Sequence, residues 1–342
     1  MSAARKVPLP ARMPEVVAEL SASHLGSLTL VRQLVHAAAQ AGADAVKIQL
    51  WDPELMVLKT DYVVERGPWD GQVLAQLYAR ARFRPEWLPA LAEEAQRHGI
   101  VWFASVFDLP SLMALEEANC PRYKIASFEL VDLPLIRAVA TSGKPLVLST
   151  GMATLQEITQ AVLAAENAGC NEMTILRCTS AYPAPTERAN LAGMAELRER
   201  FGYPVGLSDH TTGNLAAVVA ATLGATMIEK HLMLKDYQDG PDGHFANNEE
   251  EFAEMVQVLD EAIESIGAPV FKCWPEEEPQ LQFRRSTYLA RALERGDMVK
   301  PGDLVTSRPN LGASPADWPK LLGRRVRRAM AIGVPLNEQD LE

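Results

Sequence analysis

Eight short apolar runs, separated by stretches with helical periodicity, constrain the fold of this chain most strongly. The runs are VVAEL (16–20), DAVKIQL (44–50), VWFASV (101–106), YKIAS (123–127), PLVLST (145–150), MTILRC (173–178), PVGLSD (204–209) and TMIEKH (226–231). Most of them are continuous rather than alternating, which is typical of parallel strands covered on both faces. We interpret them as the strands of an α/β domain.

The segments between these runs have the periodicity and boundary residues of helices. Apolar residues recur at helical spacing over 28–40, and Gly42 follows as a stop signal. The helical pattern over 84–97 begins near a proline and is followed by a glycine. Thr154 and Glu157 have the spacing of a capping box. Eight such units in about 250 residues predict a (β/α)₈ TIM barrel, with a doubly wound open sheet as the alternative.

The connection between the second and third runs is unusually long. It covers about fifty residues, 51–100, whereas most such connections are short. Trp51, Tyr62 and Trp69 argue against disorder. Because the segment follows a strand end, where barrels carry their sites, we expect it to form a wall of the substrate site.

The composition changes after a predicted helix over 249–266. Residues 267–283 contain three prolines and three consecutive glutamates, which is typical of a linker. From 284 to 342, short β-like runs alternate with Gly-Asp turns and predict a small β-rich domain. The predicted order is a barrel domain over 1–266, a linker over 267–283 and a second domain over 284–342. Since a domain of about 60 residues is marginally stable alone, we expect it to pack on another domain.

Composition and charge argue against several classes of partner. The net charge is −11 and there is no basic run, so a nucleic-acid partner is not expected. The most apolar stretch, 215–228, is too short to span a bilayer, so a membrane partner is not expected either. The N-terminus lacks the apolar core of a signal peptide, and the four cysteines form no CxxC pair. These features predict a cytoplasmic protein.

Polar side chains lie near the C-terminal ends of all the predicted strands, which in a barrel meet at one mouth. They include Glu19, Lys47, Gln49, Ser105, Lys124, Ser127, Glu129, Ser149, Tyr182, Ser208, His210 and His231. Each residue alone can be explained as a helix cap or as a buried stem with its polar end in solvent. Their occurrence at the same end of eight strands predicts an active site.

The residue types at these ends indicate two kinds of ligand. Lys47 and Lys124, with several hydroxyls and helix N-termini, are the donors of an anion site for phosphate and carboxylate. His210 and His231, on neighbouring strands, can share a divalent metal such as manganese, and the alternative is two unrelated histidines. We expect no sulfur ligand near them, so structural zinc is not expected.

Three carboxylates need a separate interpretation. Glu129 and Asp242 are expected beside the substrate, although Asp242 lies in a turn-rich loop and can equally be a turn residue. Asp209 lies between Ser208 and His210, so along a strand it points away from both. We expect Asp209 to be structural or to lie behind the site.

These residues lie in stretches that resemble the sialic acid synthase family, the phosphoenolpyruvate-condensing nonulosonate synthases. The stretches are AELSASHLGSL, AGADAVKIQ, YKIASFELVDLPLI, GKPLVLSTGMAT, CTSAYPAP, GLSDHT, IEKH and GPD, within about residues 16–245. The C-terminal part, from RRSTYLARALERGDMV to GVPLNEQDLE, is similar to the antifreeze-like (SAF) domain of that family. Within the family, KIASFE and CTSAYPAP most resemble pseudaminic acid synthases.

The resemblance implies an enzyme that condenses phosphoenolpyruvate with an acetamido sugar and releases phosphate by C–O cleavage. A pseudaminic acid synthase would use a 2,4-diacetamido-2,4,6-trideoxy hexose, and we expect Trp51, Trp69 and Phe128 to supply the apolar pocket for it. The alternatives are N-acetylneuraminate or legionaminate synthases, which use N-acetylmannosamine or its diacetamido analogue. A barrel synthase of 3-deoxy sugar acid phosphates would need a further basic pocket, for which we expect no residues. A sugar-binding protein without activity would not need both lysines and both histidines.

The resemblance also implies a role for each site residue. Phosphoenolpyruvate would contact Glu19, Lys47, Ser105, Lys124, Ser127, Ser149 and Ser208. The sugar would contact Gln49, Glu129, Tyr182, Asp242 and Arg308. The catalytic residues would be Glu129, His210, His231, Lys47 and Lys124. His210 and His231 would bind Mn²⁺, with Mg²⁺ or Co²⁺ as alternatives. Arg308 would be lent to the barrel by the small domain of the other protomer, which implies a domain-swapped homodimer.

The chain departs from the family pattern at three places. Ser23-His24 replaces Asn-His, Leu232-Met233 replaces Phe-Thr, and GPDGHFANN differs after its first three residues. We expect all three departures on the sugar side of the site, where they bear on the substrate more than on the reaction.

Overall fold

The computed structural model describes residues 13–237 and 240–342. The chain divides into two compact units, with the boundary between Gly267 and Ala268. The first unit contains a closed barrel in which eight parallel strands follow one another in chain order. The strands are β1 (Glu15–Glu19), β2 (Ala45–Leu50), β3 (Val101–Val106), β4 (Tyr123–Ile125), β5 (Leu146–Ser149), β6 (Met173–Cys178), β7 (Val205–Asp209) and β8 (Met227–His231). The barrel prediction is thus confirmed over the open sheet.

Helices alternate with these strands. They are α1 (Leu28–Gln40), α2 (Pro53–Met56), α3 (Leu74–Ala81), α4 (Leu88–His98), α5 (Leu109–Glu117), α6 (Leu133–Ala140), α7 (Leu155–Asn167), α8 (Gly193–Phe201), α9 (Leu215–Thr222), α10 (Glu249–Ile266) and, in the second unit, α11 (Trp318–Leu321). Helices α1 and α4 to α10 each follow one strand, as the barrel requires. Helices α2 and α3 are additions within the connection between β2 and β3.

Local sequence signals explain where these helices begin and end. The Thr154 hydroxyl accepts from the Glu157 N–H at 3.3 Å, and Glu157 Oε2 accepts from the Thr154 N–H at 2.7 Å. This is the predicted capping box at the start of α7. At the other end of a helix, Gly99 terminates α4 in the left-handed conformation, with φ of 70°.

The barrel strands are buried on both faces, as their continuous apolar sequences predict. Every residue of β7 and β8 is buried. The two strands approach closely at Gly206, where an added Cβ would lie 2.3 Å from the carbonyl oxygen of Met227. A side chain at this position would therefore force the strands apart.

The long connection between β2 and β3 is ordered around aromatic contacts. The ring of Trp51 packs edge-on against Tyr78 and Phe107, with centroids 5.5 and 5.6 Å apart. Val63 and Val73 form an antiparallel bridge just before α3. These contacts hold the segment at the C-terminal end of the barrel strands.

The second unit is a small β-rich fold, as predicted. Strands β9 (Ser286–Leu289) and β10 (Leu304–Ser307) pair antiparallel. The core includes Leu289, Val326 and Leu336. From Ala268 onward the predicted linker belongs to this unit, and residues 275–283 form a 3₁₀ helix. Within the described parts of the chain, no helix is long and apolar enough to cross a membrane.

Candidate active site

The C-terminal ends of the barrel strands open into a cavity of about 310 Å³. Most of the predicted site residues line it: Lys47, Gln49, Lys124, Ser127, Ser149, Tyr182, Ser208, His210, His231 and Asp242. They come from strands and loops that are far apart in the chain, so the closed barrel brings them together.

The charged part of the cavity is a buried network centred on Glu229 of β8. Lys124 Nζ donates to both carboxylate oxygens of Glu229 at 3.0 Å, and Ser208 Oγ donates to Oε1 at 2.9 Å. Lys47 Nζ lies 3.8 Å from the same carboxylate. Burial opposes ionisation of Glu229, but Lys124 and Lys47 outweigh it and hold the pKa of this carboxyl below its usual range. Glu229 is therefore an anion at neutral pH.

Lys47 has further partners below the mouth. It forms an ion pair with Glu19 and donates to Ser105 Oγ at 3.0 Å. Burial disfavours its charge, but Glu19 and Glu229 raise the pKa of Lys47 above its usual value. At Lys124 the balance is reversed. Burial, reinforced by the charge of Lys47, outweighs Glu229 and lowers the pKa of Lys124 below its usual value. Glu19 and Ser105 thus support Lys47 without themselves lining the cavity.

Glu229 is a site residue that the sequence analysis missed. It precedes His231 by two positions, so both side chains lie on the same face of β8. This alternation was the signal that could have identified it. Lys230, between them, points the other way and donates to Asp209 Oδ2 and the Thr211 carbonyl oxygen, both at 2.7 Å. Asp209 is therefore held in a buried ion pair away from the cavity.

The two predicted metal ligands lie side by side. The ring centroids of His210 and His231 are 5.3 Å apart, and both residues line the cavity. His210 Nδ1 donates to the Thr179 carbonyl oxygen at 3.0 Å, which leaves Nε2 free to bind a metal. His231 Nδ1 is buried and lies 3.5 Å from Asp242 Oδ2, too far for a strong hydrogen bond.

This pair fits a borderline divalent ion, which prefers imidazole nitrogen. The described residues include no group of three or more His, Cys, Asp or Glu side chains that could hold a metal ion. The other ligands of a metal at His210 and His231 would therefore come from substrate or water.

A sulfur atom lies close to His210, a neighbour that the sequence analysis did not anticipate. Cys178 Sγ is 3.8 Å from His210 Nδ1. The proximity arises because Cys178 pairs with Ser208 in the register of β6 and β7. The sulfur approaches the nitrogen that is bound to Thr179, on the side of the ring away from Nε2.

Aromatic rings enclose the histidines. Tyr182 packs on His210 with ring centroids 4.4 Å apart, and Trp69 and Phe245 contact Tyr182 at 5.7 and 5.1 Å. Burial raises the pKa of Tyr182 well above its usual value, followed by the effects of Cys178 and Asp242. The Tyr182 hydroxyl therefore remains a proton donor at neutral pH.

Glu129 lies in the 3₁₀ turn Ser127–Glu129 that follows β4, and unlike Ser127 and Phe128 it is not among the residues that line the cavity. Its Oε2 atom is buried and has no hydrogen-bond partner among the described residues. Burial raises the pKa of Glu129 to about 7, and the charge of Asp132 adds to the shift. A carboxyl with this pKa can exchange a proton near neutrality.

An apolar wall forms one side of the cavity. It consists of Trp51, Trp69, Leu74, Leu77 and Tyr78, all from the connection between β2 and β3. Phe128 also lines the cavity, so the three aromatic residues expected to form an apolar pocket are present there.

Two expectations about other residues are corrected. The residues at two of the departures, Ser23-His24 and Leu232-Met233, are not among the described residues that line the cavity. The His24 ring packs edge-on against Phe83 at 5.7 Å, and burial lowers its pKa to about 4, so it is neutral. Phe245 of the third departure does line the cavity, as do Pro241 and Asp242 of the preceding GPD.

A basic pocket exists, contrary to expectation. It is lined by Arg80, Arg82 and Arg84 together with Gly26, Ala79 and Glu86, and it shares no lining residue with the strand-end cavity. Arg308, predicted to contact the sugar, lies directly after β10 in the second unit and is exposed.

The fold and the cavity define a class: a (β/α)₈-barrel protein whose strand ends bring buried lysines, hydroxyls and two histidines together in one cavity, as in an enzyme active site. The chain belongs to the NeuB family, whose model matches residues 34–270. Residues 284–342 match the SAF domain. Family membership supports a divalent metal as the cofactor.

Individual relatives match over most of the chain. It is 37% identical to a pseudaminic acid synthase of Helicobacter pylori, over 96% of this chain and 98% of that protein. Identity to an N,N'-diacetyllegionaminic acid synthase of Legionella pneumophila is 32%, over 96% and 94%. The solved N-acetylneuraminic acid synthetase of Leptospira borgpetersenii, in complex with citrate, has 28% identity and a TM-score of 0.70, covering 80% of this chain and 91% of that one.

Proposed function

We propose that this protein is a pseudaminic acid synthase that joins phosphoenolpyruvate to a 2,4-diacetamido-2,4,6-trideoxy hexose and releases phosphate. The observation that carries the proposal is the meeting of Lys47, Lys124 and Ser208 with His210 and His231 in one cavity. The higher identity to the pseudaminic acid synthase than to the legionaminic acid synthase, 37% against 32%, supports this sugar over the diacetamido alternative.

Phosphoenolpyruvate binds at the charged part of the cavity. Lys47 and Lys124 supply the positive charge, and Ser127, Ser149 and Ser208 supply hydroxyl donors. Ser149 Oγ is buried and has no hydrogen-bond partner in the described structure, so it is available to a phosphate or carboxylate oxygen. Because these donors are fixed before the substrate arrives, they stabilise charge as it moves during the reaction.

The sugar lies between the histidines and the apolar wall, with Gln49, Tyr182 and Asp242 as polar contacts. His210 and His231 hold the divalent metal, for which we propose Mn²⁺, with Mg²⁺ and Co²⁺ as alternatives. When bound, the metal acts as a Lewis acid toward the sugar carbonyl.

The proposed reaction is an aldol-like condensation. C3 of phosphoenolpyruvate forms a bond to the aldehyde carbon, whose oxygen takes a proton to become a hydroxyl, while C2 becomes an oxocarbenium ion. Water adds to C2, and we assign Glu129 to accept its proton. The C2 hydroxyl then gives its remaining proton to the departing phosphate as the C2–O bond to phosphate breaks, which leaves a keto acid and hydrogen phosphate. The proton on Glu129 replaces the one that the aldehyde oxygen took up.

The proposal also gives a role to the second unit and a cellular location to the enzyme. We propose a homodimer in which the exposed Arg308 of one protomer reaches the sugar site of the other. Phosphoenolpyruvate is a cytoplasmic metabolite, so we place the enzyme in the cytoplasm.

A substrate screen tests the proposed function. The purified protein is incubated with phosphoenolpyruvate, Mn²⁺ and one of three sugars: the 2,4-diacetamido-2,4,6-trideoxy hexose of pseudaminic acid synthesis, its legionaminic counterpart, or N-acetylmannosamine. We expect phosphate release with the first sugar at the highest kcat/KM. No sugar-dependent release with any of them would refute the synthase, and preference for another sugar would refute the assignment of substrate.

A further inference from the structure

Helix α3 directs its apolar face into the cavity rather than into the core. Leu74, Leu77 and Tyr78 are spaced by three and four residues, so they lie on one face of the helix, and all three line the cavity. No residue of α3 is fully buried. Leu74 and Leu77 belong neither to the core of the first unit nor to the partly buried residues packed against it. Core packing therefore does not explain why these positions are apolar.

The cavity has two chemically different sides. The barrel strands supply the charged and hydroxyl groups, whereas the connection between β2 and β3 supplies the apolar wall. Tyr182 joins the two sides, with its ring 4.4 Å from His210 and 5.7 Å from Trp69 by centroids. The ring of Tyr182 therefore lies between His210 and Trp69, the wall residue that it contacts. A hexose that presents its carbonyl carbon to the histidines extends its far end along the wall.

We propose that α3, through Leu74 and Leu77, selects a sugar whose C6 is a methyl group over the counterpart that carries a C6 hydroxyl. This inference rests on the proposed function and identifies its specificity element. Leucine side chains have no hydrogen-bonding atom, so a hydroxyl pressed against them loses water and gains no partner. A methyl group at the same place loses nothing and removes apolar surface from water.

The expected selectivity is moderate. A hydrophobic pocket rejects a substrate that adds one hydroxyl by about 100-fold at most, because the hydroxyl can often turn toward remaining water. We therefore expect the ratio of kcat/KM for the 6-deoxy and 6-hydroxy forms of the diacetamido hexose to lie between about 10 and 100.

Glutamine substitutions on α3 test the selection. In Leu77→Gln and Leu74→Gln, an amide can pair with the hydroxyl, so we expect the kcat/KM ratio to fall about 10-fold, chiefly through better use of the 6-hydroxy sugar. The KM for phosphoenolpyruvate should change little, because its proposed contacts lie on the charged side. Since neither leucine is in the core, both variants should fold, and circular dichroism with thermal unfolding checks this.

Two control variants separate selection from general damage. Leu77→Met keeps the position apolar and should keep the ratio. Leu58→Gln makes the same type of change in the same connection, at a side chain that is 82% exposed and does not line the cavity, and should also keep it.

The possible outcomes distinguish failure of this inference from failure of the proposed function on which it rests. Equal kcat/KM for the two sugars in the wild-type protein, or a ratio unchanged in both glutamine variants, overturns selection by α3 while leaving a synthase in place. Absence of phosphate release with either sugar refutes the proposed function, and the selection with it.

Discussion

At the scale of single residues, Glu229 determines how two lysines can be buried together. Its carboxylate contacts Lys124 directly and lies within 3.8 Å of Lys47. Without this negative charge, two ammonium groups would face each other in a buried site where, among the described residues, Glu19 alone would pair with Lys47. Glu229 is thus a positioning residue that keeps both lysines in place for an anionic substrate.

Substitution of Glu229 by glutamine should be strongly destabilising. Removing one partner of a buried ion pair typically costs about 3–5 kcal/mol, because the other charge remains buried and unpaired. We expect Glu229→Gln to lower the free energy of unfolding by roughly that amount, as measured by chemical denaturation. Glu254→Gln, at an exposed position of α10, should change it by less than about 0.5 kcal/mol. Equal stability of the two variants would contradict the network.

Glu129 makes the stability of the protein depend on pH. Its pKa in the folded chain, about 7, lies above the ordinary value of 4.5, so the folded state binds a proton more tightly than the unfolded state. Stability from this group is therefore present at low pH and is lost as pH rises from about 4.5 to about 7. Glu129→Gln has no carboxyl to ionise at this position, so its free energy of unfolding does not fall in this way. It should exceed that of the wild type by about 2–3 kcal/mol at pH 8 but not at pH 4.

Unfolding curves of both proteins at pH 4, 6 and 8 measure this difference. A constant difference across the three pH values would contradict the buried, unpartnered state of Glu129. Activity should fall in Glu129→Gln at every pH, since the proton acceptor assigned to water addition is absent.

At the scale of elements, the regular strands and helices could be predicted and the additions could not. Continuous apolar runs identified all eight barrel strands, and helical periodicity gave the bounds of α1 and α10. Helices α2 and α3 were missed because they are short, with four and eight residues, and Val73 provides no side-chain cap for α3. The apolar residues of α3 face the cavity, so this helix lacks the core-facing pattern on which sequence reasoning depends.

The same limit applies within the site. The rule that barrel strands end at one mouth predicted which residues meet, but not which of them pair. Glu229 was not predicted because it lies two residues before the end of its strand, and its pairing with Lys124 spans 105 positions in the chain. Such contacts depend on the register of neighbouring strands, which no local pattern records.

At the scale of the whole molecule, the proposed homodimer requires that one chain complete the site of another. A mixing experiment tests this. An Arg308→Ala protein and a Lys124→Ala protein should each be nearly inactive. Mixed under conditions that allow subunit exchange, they should regain about a quarter of the wild-type activity per site. Half of the dimers would be heterodimers, and each heterodimer would have one site that combines an intact barrel with an intact Arg308.

The control is a mixture of Lys124→Ala with Lys47→Ala, in which both defects lie in the barrel. In each heterodimer, one barrel lacks Lys124 and the other lacks Lys47. Neither site is complete, so no activity should return. Recovery in the control, or none in the first mixture, would refute the sharing of Arg308 between protomers.

The absence of a side chain at Gly206 has a consequence at the opposite end of its strand. Because the backbone of β7 can come within contact distance of Met227, the two strands run close enough for Ser208 to reach Glu229 and for His210 to stand beside His231. The spacing of the two histidines is thus set several residues away, by one missing carbon atom. A chain that acquired an alanine there would keep both histidines in its sequence and still change the distance between them.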